Sequence, residues 1–163
     1  MPRTKGSSIF LPVNRLAGVL GVASVWGVNP TNLAFCTDGN WLNMTGLGSK
    51  VVAAGTEAGR IVFDMGAVYN VHLRMKIQIG NNIVAGDNAY LKCNCSEDNI
   101  TYVPAETSGN NLLTTWMPNT TKTIFVNAFV RGRYIQLIWL ASTASGGTIF
   151  GAVWEIEAID LGI

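Results

Sequence analysis

Between residues 71 and 79 the chain alternates strictly: Val71, Leu73, Met75, Ile77 and Ile79 are apolar, while His72, Arg74, Lys76 and Gln78 are polar. Side chains on a strand point to opposite faces in turn, so this pattern predicts a strand with a core face and a wet face. Residues 89–95 repeat it, with Ala89, Leu91, Cys93 and Cys95 inward and Tyr90, Lys92 and Asn94 outward. Further strands are predicted over 59–64, 123–130, 133–140 and 148–159. Turn-forming clusters separate them: Gly80-Asn81-Asn82, Gly86-Asp87-Asn88, Ser108-Gly109-Asn110-Asn111 and Ser145-Gly146-Gly147. No long helical period interrupts the series. Many closely spaced strands without crossover helices imply antiparallel pairing and an all-β sandwich. With no repeat and no linker, the prediction is one domain over 14–163 and an N-terminal arm over 1–13.

Composition sharpens this picture. Charged residues are 13% of the 163, against a usual ~25%, and apolar residues are 48%. So thinly charged a surface is expected to be covered in part by neighbours. A net charge of +1 offers no electrostatic footprint for nucleic acid. Three cysteines, Cys36, Cys93 and Cys95, are an odd count that fits buried thiols better than a disulfide framework. The apolar run 16–28, behind Arg3, Lys5 and Arg15, loosely imitates a leader but is too short and too glycine-rich to span a membrane. The expectation is synthesis in the cytoplasm without a cleaved signal peptide, with no membrane span.

From about residue 20 onward, four ordered blocks carry a family likeness. The first is Val22-Ala23-Ser24, then Asn29-Pro30-Thr31-Asn32-Leu33-Ala34 and Thr37-Asp38-Gly39-Asn40. The second runs from Gly59 through Phe63-Asp64-Met65-Gly66 to Val71. The third contains Ser96-Glu97-Asp98-Asn99-Ile100-Thr101-Tyr102. The last joins Arg133-Tyr134-Ile135-Gln136-Leu137 with Trp154-Glu155-Ile156-Glu157. In these blocks the chain resembles the discoidin family, the coagulation-factor C-type domains with a galactose-binding-like jelly roll. It departs in lacking a disulfide between its ends, in placing Asn99-Ile100 where the hairpin turn usually has glycine, and in its extra arm.

The resemblance implies an antiparallel jelly-roll sandwich and a structural calcium near the Asp-Gly-Asn turn. It would carry ligands to Asp38, to a backbone oxygen of Asn40 and to Glu155, with Thr45 as a further candidate shifted by the Trp41 insertion. Calcium takes 6–8 oxygens, many of them backbone, so a turn with one or two acids suffices. Glycan binding is also implied. Sugars rest on aromatic rings with a few polar groups beside them, and Trp26, Trp41 and Trp116 fall near predicted loops. Trp139 and Trp154 lie in strands, as core or sheet-face residues.

Catalysis has little to work with. His72 is the one histidine, and alternation puts it on an outer face, away from any nucleophile. Glu155 and Glu157 share a strand face but read better as solvated groups or ion ligands than as an acid/base pair. Asn43, Asn94, Asn99 and Asn119 each begin an Asn-x-Ser/Thr triplet, taken as chance matches in a chain that is not exported. The expected function is therefore non-enzymatic. The main expectation is a homo-oligomeric virion component, such as a phage capsid-decoration or tail protein, partnered by copies of itself or other virion proteins. The alternative is a stand-alone lectin or adhesion module for surface glycans. In the first case Ile9, Phe10 and Leu11 of the arm would pack on a neighbouring subunit.

Overall fold

The computed structural model describes residues 12–24, 32–83, 89–107, 110–111, 114–116, 121–141 and 147–162. Ten strands follow one another: β1 (Val22–Ser24), β2 (Thr45–Val52), β3 (Glu57–Ile83), β4 (Ala89–Ser96), β5 (Val103–Pro104), β6 (Glu106–Thr107), β7 (Asn110–Asn111), β8 (Thr114–Trp116), β9 (Thr121–Leu140) and β10 (Gly147–Asp160). A short 3-10 helix, Leu33–Thr37, precedes β2. The main sheet has the order β2-β10-β3-β9-β4-β5, with β1 added to β3 and β8 to β4, and its ladders are antiparallel. These are the antiparallel strands that the alternation predicts, in the jelly-roll sandwich that the resemblance implies.

The predicted strands 59–64 and 71–79 are one long β3, and 123–130 and 133–140 are one long β9. The two remain paired from Glu57↔Leu140 to Gly80↔Thr121, with the register shifting between Asp64 and Tyr69. Gly66 occupies that break at φ +83°, and its N–H donates to Asp64 Oδ1 at 2.7 Å. Glycine adopts this left-handed backbone without a Cβ clash, so the chain bends there and resumes pairing. The long strands thereby enclose a single core. Ile61, Phe63, Leu73, Met75, Leu91, Leu137, Trp139 and Ile156 all belong to it.

Val71, Leu73, Met75 and Ile77 are buried, as the alternation requires; the side chain of Ile79 lies outside the described residues. Cys36, Cys93 and Cys95 are buried free thiols, and burial pushes the Cys36 and Cys93 thiols up to about 11 and about 12. Leu16, from the apolar run near the N-terminus, sits in the core. Asn14 bridges to Ile159, and the Asp160 N–H donates to the Val13 carbonyl at 2.9 Å, which ties the start of the domain to β10. Asn99, where the turn of the 96–102 hairpin usually has glycine, takes a left-handed φ of 64°. Asparagine tolerates that region better than most residues. No helix among the described residues is long and apolar enough to cross a membrane. The arm residues Ile9, Phe10 and Leu11 lie outside the described residues.

Candidate functional site

Two places combine polar chemistry with geometry. The first is the turn after the 3-10 helix. Asp38 Oδ1 accepts the Asn40 N–H at 2.7 Å and Asp38 Oδ2 accepts the Asn43 side-chain amide at 3.0 Å. Asn40 uses its own side-chain oxygen to accept the Leu42 N–H, and its carbonyl accepts the Asn43 N–H. These local bonds let a short polar segment hold a tight turn without regular structure. The turn is pinned to β10, because the Gly39 N–H donates to Glu155 Oε2 at 3.1 Å.

Glu155 is 0% exposed, and its Oε1 has no hydrogen-bond partner among the described residues. Burial, and then the neighbouring Asp38 carboxylate, raise its carboxyl to about 8. Thr45 is also buried here, and its hydroxyl donates to the Asn32 carbonyl at 2.6 Å. The Asp38 turn and Glu155 thus meet through the Gly39 N–H. A buried carboxylate oxygen without a donor, beside a second carboxylate, is the condition a cation relieves. The carboxylate and hydroxyl oxygens of Asp38, Glu155 and Thr45 are of the kind a hard ion takes; the buried Cys36 thiol lies beside them. Glu157, two residues on in the same register, is different in its partner and exposure: it pairs with Arg74.

The second place is the outer face of β3 and β9. Alternation sends His72, Arg74, Lys76 and Gln78 outward from β3. The register sets Lys76 opposite Phe125, Arg74 opposite Asn127 and His72 opposite Phe129. A cleft of about 260 Å³ opens here, lined by Trp41, Arg74, Met75, Phe125, Val126 and Asn127. Trp41 arrives from the Asp38 turn; its carbonyl accepts a hydrogen bond from Lys76 Nζ at 3.1 Å. The Arg74 guanidinium lies 5.9 Å from the Trp41 ring and is held from below by Glu157, its Nε donating to Oε2 at 2.9 Å. Lys76 Nζ sits 3.8 Å over the Trp154 ring, which fixes the ammonium as a cation–π contact. Phe125 is 70% exposed and forms the opposite wall.

Of the three tryptophans named as ligand candidates, Trp41 lines this cleft. Trp26 and the side chain of Trp116 lie outside the described residues. His72 stacks on Phe129 with ring centroids 4.6 Å apart, on the outer face that alternation predicted. Trp139 is a core residue and Trp154 is partly buried. Sequence reasoning missed Phe125, Asn127 and Arg74 as a group. The available signal was an aromatic on the polar phase of an alternating strand, since Phe125 and Phe129 both fall opposite to the buried Val126, Ala128 and Val130.

No protein-family model matches the sequence, and no curated protein matches it. Among solved structures, the chain is similar to CpGH89CBM32-6 of Clostridium perfringens, at 14% identity and a TM-score of 0.47, over 91% of this chain and 99% of that one. It is similar to a Streptococcus pneumoniae fucose binding module at 15% identity and a TM-score of 0.49, over 91% and 96%. A third is the family 32 carbohydrate-binding module of C. perfringens NanJ, solved with galactose, at 14% identity and a TM-score of 0.47, over 91% and 98%.

Proposed function

We propose that this domain is a non-catalytic carbohydrate-binding module whose binding site is the cleft between Trp41 and Phe125. The observation that carries the reading is the cleft itself: two aromatic walls with a guanidinium and a side-chain amide between them. Sugar rings present apolar C–H faces and a rim of hydroxyls. Aromatic rings take the faces, while Arg74 and Asn127 serve the hydroxyls. At about 260 Å³ the cleft is smaller than the ~300–1,000 Å³ of drug-sized pockets and suits a single sugar ring. Glu157 holds Arg74 in place before a ligand arrives, which lowers the ordering cost of binding.

Of the two expectations drawn from the sequence, the glycan-binding alternative is the one retained. Nothing in the fold or the comparisons favours a virion subunit. We further propose calcium as a structural ion at the turn, held by Asp38 and Glu155 with Thr45 and backbone oxygens of the turn. Because Trp41 extends from that turn, the ion's role is to set the height of one cleft wall.

The test is titration of the purified domain against a panel of neutral and acidic oligosaccharides, with Trp41→Ala and Phe125→Ala beside it. Each variant is expected to keep its melting temperature and to lose affinity by about tenfold or more, a factor that corresponds to about 1.4 kcal/mol. Failure of the wild type to bind any saccharide, or variants that bind as well as wild type, would overturn the assignment.

A further inference from the structure

Beyond the cleft, the outer face continues along β9. Phe125, Asn127 and Phe129 all point outward, and Phe129 is 62% exposed. The two phenylalanines are four residue steps apart on the strand, a distance of about 14 Å at ~3.4 Å per residue. That exceeds one sugar ring, so a ligand touching both must be a chain. One face of the Phe129 ring is covered by His72, which leaves the other for a partner. The ladder between β4 and β9 runs only from Leu140 to Tyr134. Among the described residues, then, no ladder partner flanks that edge of β9 between Thr121 and Arg131, and an extended ligand meets no strand there.

The charges on this face are unequal in their reach. Arg74 and Glu157 form a pair, yet the Arg74 side chain is 48% exposed and that of Glu157 13%. Glu155, opposite Lys76 in the ladder, is fully buried. Asp38, on the turn that carries Trp41, is exposed. Within the Arg74–Glu157 pair, however, the guanidinium is the member that a ligand meets.

We infer that the natural ligand is an unbranched acidic polysaccharide that lies along β9, with sugar rings on Phe125 and Phe129 and acid groups beside Arg74 and Lys76. The inference rests on the carbohydrate-binding reading and deepens it: recognition is of an internal stretch of an anionic chain, not of a single terminal sugar. Carboxylate and sulfate share the chemistry a guanidinium recognises, so the two sources are separated by experiment.

The experiment titrates the full chain against two matched pairs. One is polygalacturonate with its methyl-esterified form, and the other a linear sulfated galactan with its desulfated form. A galacturonate series from monomer to hexamer accompanies them. At least one charged polymer is expected to bind about tenfold or more above its neutral partner, with the gap closing as salt screens the charges. Affinity is expected to rise with length until both aromatic positions are spanned. Phe129→Ala is expected to remove that rise. Equal binding of charged and neutral partners, a monomer as tight as the hexamer, or a silent Phe129→Ala each overturns the inference. Neutral sugars that bind in a Phe125-dependent manner, without length or charge dependence, would sink this inference and leave the cleft assignment standing. No saccharide binding at all would remove both.

Discussion

On β3 and β9 one set of residues faces inward and the alternate set faces outward. Inside, Val71, Leu73, Met75 and Ile77 meet Val126, Ala128 and Val130 in a closed apolar layer. Outside, His72, Arg74 and Lys76 stand beside Phe125, Asn127 and Phe129. The inner face spends its apolar residues on burial. The outer face leaves two phenylalanines in water, and their exposure is what marks that face for recognition.

The inner face is the more sensitive of the two. Leu73→Ala is expected to cost about 2–5 kcal/mol, read by denaturant unfolding, because deleting a buried side chain leaves a cavity. Gly151→Ala tests the same layer by overfilling. An added Cβ would stand 2.6 Å from Trp139 Nε1 and 2.7 Å from its Cε2. A core tryptophan has little room to yield, so a loss of about 1–3 kcal/mol is expected.

The turn gives a subtler effect with a defined sign. The Glu155 carboxyl is raised to about 8 in the folded chain, above an unfolded value of ~4.3. Its contribution is therefore fully present below the unfolded value and is lost as pH rises through 8. Without added ion, the melting temperature should fall between about pH 5 and about pH 9. Calcium should offset that fall most at the alkaline end, where Glu155 is ionised. Glu155→Gln should flatten the pH dependence and abolish the calcium response. A melting curve that ignores both calcium and chelator across this range would remove the ion. The smallest stability effect is expected outside: Phe125→Ala should stay within about 0.5 kcal/mol of wild type in a melt. A larger loss would mean that Phe125 supports the fold.

The strands and their inward residues were legible because a period of two survives without any knowledge of partners. The pairing of Asp38 with Glu155 was legible only through a family likeness, since no local pattern links a turn to a strand so far along the chain. The continuity of β3 was not legible. Asp64 and Gly66 read as a stop, whereas the chain bends at Gly66 and resumes the same ladder. The cleft was hidden for a related reason. Arg74, Phe125 and Trp41 come from three separate segments, and it takes the antiparallel register to set Arg74 beside Asn127 and Lys76 beside Phe125. Trp41 could be nominated alone as an aromatic near a loop; its neighbours could not.

The unbroken course of β3 and β9 has a consequence for how the molecule opens. Where two sheets are joined by loops, one can detach and exchange its amide hydrogens before the other. Here the same two strands run through both halves, from Glu57↔Leu140 to Gly80↔Thr121. A fluctuation that frees the amides around Phe125 travels along the same strand that carries those around Trp139. Amide exchange along β9 should therefore follow one shared opening event, and a glycan laid on one end of the strand should slow exchange at the other.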